Sequence, residues 1–147
     1  SFHKTAVTDI KIDESRRWRE NHIRAVTSAY ANAPYFEFYF DIIREVMTDT
    51  SGYLLDLNMK GLEMILRCLK IEKDIRWSES FTSEGRSEND FRYTIAPKSA
   101  WHHKDYREQH YIQVFSDRFG FVPGLSIIDI LLNNAPGTKD LILRSLV

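Results

Sequence analysis

The sequence predicts a helix-rich chain of the α/β or α+β class with a few short strands, and three observations carry that expectation. Apolar residues return at spacings of three and four through most of the chain. Two short stretches, Val7–Ile12 and Ile75–Ser78, have the look of strands. With 147 residues, of which 43% are hydrophobic and 13% aromatic, there is enough apolar side chain for one core.

Taken in order, Val7, Ile10 and Ile12 suggest a strand with imperfect alternation. Asp13-Glu14-Ser15 can then cap a helix from about 16 to 31, whose apolar stripe is Trp18, His22, Ala25, Val26, Ala29 and Tyr30. Asn32-Ala33-Pro34 ends it and starts a second helix, because proline is accepted at a first helical position but not inside. Tyr35, Phe36, Tyr39, Ile42, Ile43 and Val46 form the buried face of that helix, and Asp49-Thr50-Ser51-Gly52 turns the chain. A third helix over about 57–69 buries Leu62, Ile65, Leu66 and Leu69, with Asp56 or Asn58 as its cap.

Ile75-Arg76-Trp77-Ser78 reads as the second strand, Ser80–Asn89 as a polar loop, and Phe91–Ala96 as either strand or helix before Pro97. Three helical pieces close the chain: about 108–118, stopped at Gly120; one starting at Ser126; and one capped by Thr138 and running through Leu146. Ser126-Ile127-Ile128-Asp129 has the outline of a capping box. There is no internal repeat and no domain boundary, so 1–147 is read as one domain portion.

Composition narrows function. Twenty basic residues against 21 acidic ones leave no field that would recruit nucleic acid or an anionic membrane. No apolar run approaches a membrane span and no signal-peptide pattern opens the chain, so a cytoplasmic location is expected. The single cysteine, Cys68, excludes an intramolecular disulfide and a multi-cysteine zinc site, and reads as an inert thiol in an apolar helix. Phosphate loops, nucleophile elbows and dinucleotide fingerprints are absent.

Few residues invite chemistry. His102, His103 and His110 are gathered in one segment, but adjacent histidines diverge and no helical i, i+4 pair exists; a polar linker is expected and no metal site. His22 lies on an apolar stripe, where its ring needs a partner; a core histidine is the first reading and a general base the second. Gln113 stands among Tyr111, Ile112, Val114 and Phe115, so its amide must pair with backbone or with a ligand. Ser126 is the expected helix cap and Asp129 its first-turn acid, yet a helix start near Tyr111, Gln113 and Arg118 would also suit an anion. The candidates are therefore His22 and Asp129 for catalysis, and Tyr111, Gln113, Arg118 and Ser126 for ligand contact.

Several blocks together resemble the WbqC-like family. Tyr111-Ile112-Gln113-Val114-Phe115, Phe121-Val122-Pro123-Gly124-Leu125-Ser126-Ile127 and Asp129-Ile130-Leu131-Leu132-Asn133 look like its terminal helix, turn and helix. Trp18 through His22, Ala33-Pro34-Tyr35-Phe36 and Leu55-Asp56-Leu57-Asn58 look like its earlier helix, junction and helix entry. Gly124 stands where the family commonly has Asn, and Asn134-Ala135-Pro136 replaces its usual ending. Family members are longer at the amino end, so the resemblance implies the carboxyl-terminal portion of a larger α/β domain. Apolar surface left by the absent part would then favour a homo-oligomer. The resemblance further implies a bacterial protein of cell-surface polysaccharide (O-antigen) biosynthesis. In that setting a transferase acting on a nucleotide-activated or carrier-linked sugar is expected, with a nucleotide sugar or other small anion as ligand. A non-catalytic binding or scaffold subunit is the alternative; no cofactor and no catalytic residue is implied.

Overall fold

A computed structural model describes residues 5–78, 80 and 106–146. Among them lie six α-helices: α1 (Trp18–Tyr30), α2 (Phe36–Met47), α3 (Leu54–Cys68), α4 (Ser116–Phe119), α5 (Ile127–Asn134) and α6 (Thr138–Arg144). The helix-rich expectation is met. Extended pairing among the described residues is confined to two isolated antiparallel bridges, Lys11 with Tyr53 and Tyr106 with Leu146.

Helix α2 is the hub, packing against α1, α3 and α5. Its apolar residues recur at helical spacing, so Phe36 and Ile43 are buried on one face, and Phe36 stacks on Phe40 with ring centres 4.5 Å apart. Met64 of α3 and Leu132 of α5 meet this face, and Ala33 closes it at the α1–α2 junction. The junction is pinned directly to α5, because the Tyr35 amide donates to the Leu132 carbonyl at 3.0 Å. Cys68 is half-buried beside Met64, and burial pushes its thiol pKa up, which keeps it protonated and unreactive.

Two expected elements change form. The stretch from Val7 is a short 3₁₀ turn over Val7–Asp9, and only then does the chain run beside residues 52–54, with Ile12 donating to Gly52 and Leu54 to Ile10, each at 2.9 Å. Apolar residues spaced by three, as Val7 and Ile10 are, fit a 3₁₀ turn as well as a strand. Ile75–Ser78 is irregular and largely exposed, with Trp77 63% accessible, so it has no sheet to join among the described residues. The loop expected at Ser80–Asn89, the segment Phe91–Ala96 and the pair His102-His103 fall, apart from Ser80, outside the described residues.

Arg19 ties the amino-terminal segment down. Its guanidinium binds the Glu14 carboxylate at 2.5 Å, donates to the Met47 carbonyl at 2.9 Å and lies over the Trp18 ring. Helix α1 itself has no fully buried residue, and here the stripe argument for His22 fails. His22 sits edge-on to Trp18 at 5.4 Å but is exposed to solvent. His22, four residues on, shares the Trp18 face, but that face is only partly covered, since no residue of α1 is buried.

Candidate functional site

Of the helix expected over about 108–118, only α4 at Ser116–Phe119 forms, and the chain before it runs without regular structure. Alternating exposure explains this: Tyr111 is half-buried, Ile112 is 83% accessible and Gln113 is 5% accessible, a period of two that suits extended chain rather than helix. Gln113 holds the next loop as a strand neighbour would. Its side-chain Nε2 donates to the Val122 carbonyl at 2.9 Å and its Oε1 accepts from the Val122 amide at 2.8 Å. The buried amide is thus paired with backbone.

Tyr111 points the other way, toward α5. Its hydroxyl donates to Asp129 Oδ2 at 2.6 Å, while Asn133 Nδ2 donates to the Asp129 carbonyl at 2.8 Å and to Oδ1 at 3.3 Å. Asp129 is only 3% accessible, so these donors replace its lost water. The capping-box outline is half right. Ser126 Oγ accepts from the Ile128 amide at 3.3 Å and caps α5, but the Asp129 carboxylate is taken by Tyr111 and Asn133. Burial, and then the Asp129 carboxylate, push the Tyr30 hydroxyl up to about 12 and raise Tyr111 as well. Both phenols therefore stay protonated as donors at neutral pH.

Among the described residues lie three hollows, two of them bordering this network. A cleft of about 410 Å³ between α2 and α3 is lined by charges of both signs, and Asp49 there is already paired with Lys60. A smaller cavity of about 220 Å³ has mostly apolar walls, including Tyr111, Phe121, Ile127, Ile130 and Ile142. The third is a groove of about 590 Å³ where the α1–α2 junction, the 112–118 segment and the C-terminal end of α5 meet. Asn32, Phe115, Arg118 and Asn134 line it, Gln113 and Asn133 supply its polar inner wall, and Asp117 lies beside Arg118.

The groove has the chemistry of a binding site. Among the described residues, the side chains of Asn32, Asp117, Arg118 and Asn134 form no hydrogen bond or ion pair, so their donors and acceptors are available to a ligand. Phe115, 46% accessible and edge-on to Phe119, offers an aromatic surface among them. This combination of amides, one guanidinium, one carboxylate and an aromatic face suits a small hydroxylated molecule.

The sequence-derived candidates are only partly gathered. Gln113 and Arg118 line the groove, and Tyr111 and Asp129 form the network behind Asn133. Ser126 caps the opposite end of α5, about 12 Å along the axis from the groove end of this eight-residue helix, so Arg118 is not directed at the helix start as expected. His22 lines none of these three hollows. Asn32 and Asn134 escaped sequence reading because each looks like a helix-stop residue. Among the described residues no group of three or more His, Cys, Asp or Glu is placed to hold a metal ion, and no helix is long and apolar enough to cross a membrane.

No curated protein and no solved structure matches the chain. A family does match over residues 1–100, a range that holds the Trp18–His22, Ala33–Phe36 and Leu55–Asn58 blocks and the Asn32 side of the groove. By that match the chain belongs to the WbqC-like protein family.

Proposed function

We propose that this protein serves bacterial cell-surface polysaccharide (O-antigen) biosynthesis as a transferase that takes a nucleotide-activated or carrier-linked sugar, with the groove between Asn32 and Arg118 as its sugar site. The supporting observation is the groove's set of unengaged polar side chains around Phe115. Amides and carboxylates exchange hydrogen bonds with sugar hydroxyls, and an aromatic face packs on the apolar side of a sugar ring. A cytoplasmic location goes with this role.

One observation favours the second reading, a non-catalytic binding or scaffold subunit. The buried carboxylate of Asp129 is committed to Tyr111 and Asn133, which gives it a structural occupation in place of general-base work. A thermal-shift screen against nucleotide sugars and sugar phosphates tests the site, because a ligand that binds only the native state raises Tm. At least one should stabilise the protein, with the shift lost in Asn32→Ala and Phe115→Ala. A hit unaffected by either change would move the site elsewhere. Incubating a hit with acceptor oligosaccharide then separates the readings: sugar transfer supports the enzyme, and binding without turnover the subunit.

A further inference from the structure

The charges of the groove say which part of an activated sugar it can hold. Arg118 is the cation in its wall, exposed and without a partner among the described residues, and Asp117 is the neighbouring anion. The two are consecutive residues of α4, so their side chains leave the helix about 100° apart and do not neutralise each other. The groove therefore offers a single forked donor for one anionic group, next to a carboxylate and two free amides that suit hydroxyls.

A nucleotide diphosphate fits this poorly. Its two phosphates bring more negative charge than one guanidinium can meet, and Asp117 would repel the second. We infer that the groove recognises a sugar residue bearing one anionic group, a carboxylate or a single phosphate, and does not hold the diphosphate of an activated donor. This rests on the sugar-site reading above and narrows it: the groove takes the glycan, and an activating group lies outside it. Arg118 receives the anion bidentately, Asn32, Asn134 and Asp117 meet the hydroxyls, and Phe115 supports the ring.

Isothermal titration with four probes tests this: methyl glucuronide, glucose 6-phosphate, neutral methyl glucoside and UDP. One of the two sugars with a single anionic group should bind about tenfold more tightly than methyl glucoside, and which one it is identifies the group as carboxylate or phosphate. Arg118→Ala should erase that preference without lowering Tm, and Arg118→Lys should restore part of it, since a point charge lacks the fork. Equal affinity for the neutral glycoside, an undiminished preference in Arg118→Ala, or tighter Arg118-dependent binding of UDP would each overturn the inference. If methyl glucoside binds and Asn32→Ala weakens it without any anion preference, the sugar-site reading survives and only this inference falls. Should none of the four probes bind, both fall.

Discussion

Replacing Tyr111 by Phe removes one oxygen and leaves the ring, so it isolates the 2.6 Å hydrogen bond to Asp129 from the packing around it. A hydrogen bond to a charged group contributes about 1.5–3 kcal/mol, and losing it exposes the buried carboxylate's desolvation. Asp129 keeps the Asn133 donor at 3.3 Å and the nearby Tyr30 hydroxyl, which limits the damage. The expected loss is therefore in the lower half of that range, about 2 kcal/mol, equivalent to a fall in Tm of about 4–8 °C for a chain of this size. Urea unfolding should show a lower midpoint with an unchanged m-value, since the surface exposed on unfolding is the same. A double-mutant cycle with Asp129→Ala should return a coupling energy of the same size. A loss below about 0.5 kcal/mol would refute the argument that this bond replaces the water taken from Asp129.

Other outcomes follow from the same structure. Gln113→Ala should cost about 1–3 kcal/mol by urea unfolding, because it strands the Val122 amide and carbonyl; a neutral result would mean water substitutes at that half-exposed loop. Ser126→Ala should cost about 0.5–1 kcal/mol, the low end for a cap, since the bond is 3.3 Å and exposed; full retention of stability would remove Ser126 as a cap. His22→Ala should change stability by less than about 0.5 kcal/mol, and a larger loss would contradict its exposed position. The tyrosines set an alkaline limit. Tyr30 has its pKa raised from 10.0 to about 12, so the folded state holds its proton where the unfolded chain releases it; this contribution is whole below pH 10 and is lost as pH rises from 10 toward about 12. Absorbance titration near 295 nm should show late ionisation that becomes normal in urea, and a phenol titrating near 10 at this position would contradict the Tyr30–Asp129 placement.

The helices that carry long apolar stripes were legible. Helix α2 follows the i, i+3, i+4 pattern of Phe36 to Val46, and α5 starts where Ser126 and the preceding Pro123-Gly124 turn require; α3 lies where its stripe predicts and Leu69 is buried, but it begins earlier, at Leu54, and turns Met64 inward while Leu62 is left 44% exposed. Gly124, with φ of +68°, occupies backbone space that other residues enter at a cost. Less legible was anything decided by a distant partner. His22 shares a stripe with Trp18 and Val26, but sequence does not say that this face of α1 is only partly covered. Tyr111 and Asp129 are 18 residues apart, and their pairing depends on how the 106–113 segment crosses α5. The groove depends on the same crossing, since Asn32, Arg118 and Asn134 are brought together from three separate parts of the chain.

The groove as ligand site is most directly tested by mapping amide chemical shifts of ¹⁵N-labelled protein during titration with a sugar that stabilises it. The shifts should concentrate at Asn32, Phe115, Arg118 and Asn134, with Lys60 and Glu63 of the α2–α3 cleft unmoved. Perturbations centred on that cleft, or on Phe121 and Ile142 around the apolar cavity, would contradict the account.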